Sequence, residues 1–237
     1  MEELCSKVLL SFGLKTLKIL KVLRESLITE LKCAHLQLKE NGQKNLRKIN
    51  KNKRFIYLIS PNKIKNEGFF YSLDQVLSSK KVSFFQLRLK KESIRNQIYI
   101  GKKIKKICKK HKVKLLINDN PKLAKIINAD GCHLGQKDMN ILKAKKILKN
   151  KIIGITCHNS INLAKKAIAN GASYLAFGAF YSSNTKKTKY KASLKILSLA
   201  KKLTNTPVVA IGGIKDSNYK KLLLNKANFL AISGYIW

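Results

Sequence analysis

The chain has 237 residues, 45% of them hydrophobic, enough to bury one substantial core in one or two domains. No apolar run reaches the roughly 18 residues of a membrane span. The 50 Lys and Arg against 12 Asp and Glu give a formal net charge of +38, but 45 of the 50 are Lys, spread from end to end without an aromatic-rich basic stripe or a nucleic-acid module, so the charge argues for attraction of anionic small molecules and against specific nucleic-acid binding.

Residues 1–53 form a front piece, and residues 54–237 form the main domain. In the front piece Leu20, Leu23, Leu27 and Leu31 recur at helical spacing among Lys18, Lys21 and Arg24, which predicts one amphipathic helix. Residues 39–54 are polar and basic and read as a linker. Glu2 and Glu3 stand where a signal peptide needs basic residues, and Glu25 and Glu30 disfavour a transit peptide, so the expected location is cytoplasmic. Cys5, Cys33, Cys108, Cys132 and Cys157 are isolated and lack metal-ligand spacing, in keeping with a reducing compartment. Cys132 and Cys157 fall inside predicted strands and read as small core residues.

From Phe55 onward the pattern alternates. Mainly apolar runs at 55–59, 83–87, 113–117, 131–134, 152–156, 174–178, 207–211 and 228–232 predict strands. Lys-rich segments with helical apolar spacing, such as 94–110, 140–149 and 193–203, lie between them. Eight such alternations predict an α/β chain folded as a (β/α)8 TIM barrel. A weak internal repeat agrees: the stretches Asn128–Gly135, Asn170–Gly178 and Asn225–Gly234 each run from a polar turn with an Ala into a strand and then a Gly. After Gly234 only Tyr235, Ile236 and Trp237 remain, so the last helix is truncated. The front helix is expected to fill its place, and deletion of residues 1–45 would then lower solubility or stability.

Barrels keep their chemistry just after the strands. After strand two, alternation puts Gln86, Arg88 and Lys90 on one face, three donors suited to a polyphosphate. After strands three and four come Asn118-Asp119 and Gln136-Lys137-Asp138, nineteen residues apart from Asp to Asp and separated by one helix-like stretch. Two carboxylates meeting at one sheet edge in so acid-poor a chain suggest a magnesium site. Helix capping is the competing reading for each, since Asp119 precedes Asn120-Pro121 and Asp138 lies near Asn140. After strand five, Thr156 and His158 offer a hydroxyl and an imidazole. After strand six, Ser182-Ser183-Asn184-Thr185-Lys186-Lys187 can wrap a phosphate. Gly212-Gly213 after strand seven and Ile232-Ser233-Gly234 after strand eight stand where barrels bind phosphate through backbone N–H groups.

These motifs, in this order from Phe55 to Tyr235, resemble the thiamine-phosphate synthase family. The matching segments are Gln86-Leu-Arg-Leu-Lys90, Ile117-Asn-Asp119, Ala129 to Asp138, Gly154-Ile-Thr-Cys-His158, Phe177 to Lys186, and Val209-Ala-Ile-Gly-Gly-Ile214. The resemblance implies a transferase that joins 4-amino-2-methyl-5-hydroxymethylpyrimidine diphosphate to a thiazole phosphate and releases pyrophosphate. It implies that Gln86, Arg88, Lys90 and Asn118 hold the pyrimidine diphosphate, that Thr156 and Lys186 touch the same substrate, and that Asp119 and Asp138 bind Mg2+. Ser183, Asn184, Thr185, Gly213, Ile232 and Ser233 would form the thiazole phosphate pocket, and Arg88, Lys90 and Lys186 would stabilise the departing charge. Departures are Ser182-Ser183 where the family loop often has Pro-Thr, Thr156 where Ser is common, and Asn120 where a second Asp often follows. The sister thiazole tautomerases are the nearest alternative, kept open by His158; a basic scaffold binding nucleic acid is the other. Small-molecule substrates are the expected partners, with no membrane, and a homo-oligomer is left open.

Overall fold

The computed structural model describes residues 54–183 and 189–237. Eight strands alternate with helices. The strands are β1 (Ile56–Ile59), β2 (Val82–Leu87), β3 (Lys114–Asn118), β4 (Gly131–Leu134), β5 (Ile152–His158), β6 (Tyr174–Gly178), β7 (Val208–Ile211) and β8 (Phe229–Ile232). The described helices are α1 (Gly68–Ser78), α2 (Ile94–Lys110), α3 (Pro121–Ile127), α4 (Ile141–Leu148), α5 (Ile161–Ala169), α6 (Leu194–Leu203) and α7 (Tyr219–Leu224). Each strand pairs in parallel with the next, and β8 pairs with β1, closing the barrel. The chain therefore adopts the (β/α)8 barrel that its alternation predicts, with strand bounds within two residues of the apolar runs.

The period-2 strand pattern splits each strand between two cores. Outward residues such as Leu58, Phe85, Leu115, Cys132, Leu175 and Leu230 pack against the helices. Inward residues such as Tyr57, Leu116, Tyr174, Ala176, Val209 and Ala231 fill the barrel. Cys132 and Cys157 lie fully buried in the outer layer, as small core residues.

Helix starts follow local chemistry. Ser93 Oγ accepts from Asn96 N–H at 3.2 Å and opens α2. Asn120 Oδ1 accepts from Leu123 N–H at 3.0 Å ahead of Pro121, and Asn140 Oδ1 accepts from Leu142 N–H at 2.8 Å. The asparagines are thus the caps of α3 and α4, which leaves Asp119 and Asp138 out of capping.

After β8 the chain turns at 234–236. Ile236 N–H donates to Ser233 O at 2.9 Å, and Trp237 Nε1–H to Ile59 O at 2.6 Å. The Trp237 ring rests 4.9 Å from Phe69. Between α1 and α7 an apolar groove runs over Leu58, Leu230 and Ile232, walled by Val76 and Tyr219. The front helix expected to fill the place of the last barrel helix lies outside the described residues, as does the whole front piece up to residue 53.

Candidate active site

The strand ends deliver polar side chains to one mouth of the barrel. Gln86 sits at the inward end of β2, 4% exposed, and its Nε2–H donates to Asn118 Oδ1 at the end of β3. Two residues on, the chain leaves the sheet and keeps the same parity. The Arg88 backbone N–H donates to Ser60 Oγ at 2.9 Å, and its guanidinium donates to Asn62 Oδ1 in the loop after β1. Burial pulls the Arg88 guanidinium below its ordinary value, and the charge of Asp119 opposes that shift. Leu87 and Leu89 are buried on the other side, as alternation requires.

Asp119 follows β3 in a left-handed conformation with φ of 63°, and its backbone N–H donates to His133 O at 2.8 Å. That backbone brings its carboxylate to Lys90 Nζ, 3.0 Å from Oδ2, and into contact with Asp138. Asp138 Oδ2 accepts from Gly135 N–H at 2.7 Å, which holds the carboxylate at the end of β4. Burial, and then the neighbouring Asp119, raise the Asp138 carboxyl above its ordinary range; the Gly135 N–H and Lys90 pull it the other way. Two carboxylates side by side are an electrostatic conflict for an apo protein and a good fit to a hard dication. Magnesium asks for one or two carboxylates and completes its shell with water and phosphate oxygens, so a set of two acids beside the cationic side chains of Lys90 and Arg88 suits it.

On β5, Thr156 Oγ1 lies 2.8 Å from His133 Nε2, and the Thr156 carbonyl accepts from Gln136 Nε2–H. The His158 ring stacks on Tyr190 with centroids 3.9 Å apart. After β7, Gly213 has φ of 60° and passes directly under the chain after β6, where an added Cβ would come within 2.2 Å of Ser182 O. Only glycine fits both the backbone and the space. Asn218 Nδ2–H holds the Gly213 carbonyl at 2.9 Å. Ser233 Oγ–H reaches Ser60 O at 3.4 Å, which ties the end of β8 to the Ser60 that also holds Arg88. Ile232 and Ser183 are half-buried at the same rim.

The structure therefore places Gln86, Arg88, Lys90, Asn118, Asp119, Asp138, Thr156, Ser183, Gly213, Ile232 and Ser233 at the carboxyl ends of their strands. Asn184, Thr185 and Lys186 lie outside the described residues. Sequence reasoning passed over Ser60 and Asn62, which steady Arg88, and His133, which meets Thr156. Ser60-Pro61-Asn62 follows a strand end and could have been found by position alone. His133 lies between Cys132 and Leu134, which both face the outer core, so alternation alone marks it as inward.

Among described residues no helix is long and apolar enough to cross a membrane. The family model described as thiamine monophosphate synthase matches residues 56–236. A thiamine-phosphate synthase of Pelagibacter ubique is 74% identical over 186 residues, covering 78% of this chain and 90% of that protein. One from Saccharophagus degradans is 43% identical, covering 64% of this chain and 70% of its own. The solved structure of a thiamine phosphate pyrophosphorylase from Pyrococcus furiosus superposes with a TM-score of 0.68 at 29% identity, covering 77% of this chain and 86% of that one.

Proposed function

The chain belongs to the thiamine monophosphate synthase family, and on that premise we propose that its barrel mouth is a thiamine-phosphate synthase site. It is a transferase: the thiazole nitrogen bonds to the pyrimidine methylene carbon as the carbon–oxygen bond to pyrophosphate breaks. The reaction needs no protein nucleophile. It needs a leaving group whose growing negative charge is stabilised, and a pyrimidine held still while the bond breaks.

The residues divide those tasks. Arg88 and Lys90 face the diphosphate, and Arg88 is steadied from two sides, through its backbone by Ser60 and through its guanidinium by Asn62. Gln86 and Asn118 bind each other and offer their remaining amide hydrogens to the pyrimidine. Thr156 borders the same substrate. Gly213, with Ile232, Ser233 and Ser183, frames the thiazole phosphate, where a glycine turn without a side chain lets backbone N–H groups come close. Asp119 and Asp138 would hold Mg2+, which when bound supplies Lewis-acid neutralisation of the pyrophosphate oxygens. Lys186, in the loop after β6, would add a further cation to the leaving group.

The single observation that carries the reading is the contact between Asp119 and Asp138 beside Lys90, two acids held together in a chain that has few of them. The relatives are named as synthases, which supports this reading over the tautomerase alternative attached to His158, and no feature among the described residues favours the nucleic-acid scaffold. The test is pyrophosphate release from the purified chain. Release that requires both substrates and Mg2+ is expected; none with all three present would overturn the reading.

A further inference from the structure

Six side chains cross the barrel interior in one unbroken hydrogen-bonded row. Asn118 Oδ1 accepts from Gln86 Nε2–H, and Gln86 Oε1 accepts from the Tyr57 hydroxyl at 2.8 Å. Tyr57 and Tyr174 share a hydrogen bond of 2.8 Å between their hydroxyls. Tyr174 Oη is 2.9 Å from His133 Nδ1, and His133 Nε2 is 2.8 Å from Thr156 Oγ1. The two tyrosines are 1% and 2% exposed. The fold makes room for them: a Cβ on Gly154 would lie 1.8 Å from Tyr174 Cζ, and the His133 ring stacks on Tyr174 with an interplanar angle of 13°.

The row has a direction. Burial pushes both tyrosine hydroxyls far above their ordinary range, so each keeps its single proton. Tyr57 gives its proton to Gln86, so Tyr174 must give its own to Tyr57. The Tyr174 oxygen then accepts from His133 Nδ1–H. A neutral imidazole protonated there has a lone pair on Nε2, and the Thr156 hydroxyl donates to it. Thr156 is left with lone pairs only. At the other end, Asn118 Oδ1 is occupied, so its two Nδ2 hydrogens and the second Gln86 hydrogen remain as donors.

We propose that this polarised row selects the pyrimidine, with Thr156 accepting from the exocyclic 4-amino group and Gln86 and Asn118 donating to acceptor atoms of the same substrate. The inference rests on the reading of these three as pyrimidine-binding residues. A 4-oxo analogue presents an acceptor where Thr156 offers another, and two facing acceptors repel. Tyr57, Tyr174 and His133 touch no substrate in this scheme. They are positioning residues that fix which way the outer three present their hydrogens.

Tyr174→Phe keeps the ring and cuts the row at its centre. Tyr57→Phe cuts it beside Gln86 and serves if the first variant folds poorly, with circular dichroism as the check. Titration calorimetry with the 4-amino pyrimidine diphosphate and its 4-oxo analogue reads the preference without turnover. The wild type should prefer the amino form by at least about tenfold, and both variants should bring the two affinities toward parity. Steady-state kinetics should show KM for the amino substrate raised about tenfold, with KM for the thiazole phosphate unchanged and kcat within about twofold. Equal affinities in the wild type, or an undiminished preference in a folded variant, would overturn the proposal. A wild type that discriminates in the calorimeter yet releases no pyrophosphate would sink the synthase reading and leave the row as a selector.

Discussion

The two aspartates show how one residue of backbone decides a role. Asp119 adopts φ of 63°, leaves the capping of α3 to Asn120, and meets both Lys90 and Asp138. Like charges in contact oppose folding, a cost that the proposed cation would offset when bound. Asp138→Asn keeps an oxygen for the Gly135 N–H and gives Asp119 a donor. Its melting temperature in metal-free buffer should rise by a few degrees while turnover falls; a lower melting point would show that the pair is not in conflict. Asp119→Ala should lose about 10²–10³ in kcat with the fold intact, and near-normal turnover would remove it from the site. The positions of both acids were legible in the sequence because strand ends and parity are one-dimensional. What joins them was not: the Asp119–Asp138 contact depends on a left-handed residue, and the Tyr57–Tyr174–His133 row joins residues up to 117 apart in sequence.

At the scale of elements, the apolar period made the strands readable, and Ser93, Asn120 and Asn140 mark helix starts that any capping rule would pick. Contacts between helices are harder to read, because surface pairs leave no periodic trace. One joins α1 to the end of α2: Asp74 accepts from His111 Nε2 at 2.8 Å and from Lys110 Nζ at 2.9 Å. Hydrogen bonds from His111 and then Lys110 hold the Asp74 carboxyl below its ordinary value. A carboxyl lowered in the folded state contributes stability above its unfolded pKa and loses it as the pH falls through the folded value. Asp74→Asn should therefore lower the melting temperature at neutral pH, and the gap to wild type should close as the pH drops below the ordinary carboxylate range. A gap that persists in acid would mean that Asp74 acts by packing and not by charge.

The whole chain carries a formal net charge of +38, and the barrel mouth must admit two anions. Among the described residues, lysines such as Lys102, Lys106, Lys143, Lys146, Lys165 and Lys166 stand exposed on helices, where each is worth little to stability. Their sum still makes a field, and a field of one sign raises encounter rates with anions of the opposite sign. The effect should scale with ligand charge, so the diphosphate should feel it more than the thiazole monophosphate. Salt screens it, with a Debye length of about 10 Å at 0.1 M and about 3 Å at 1 M. Raising the salt across that span should lower kcat/KM for the pyrimidine diphosphate about tenfold, lower it less for the thiazole phosphate, and leave kcat in place. In the proposed site Arg88 and Lys90 would contact the diphosphate within screening distance at any salt, and so would act mainly on kcat. A salt-independent kcat/KM would assign all of the attraction to those two residues and none to the lysine-rich surface around them.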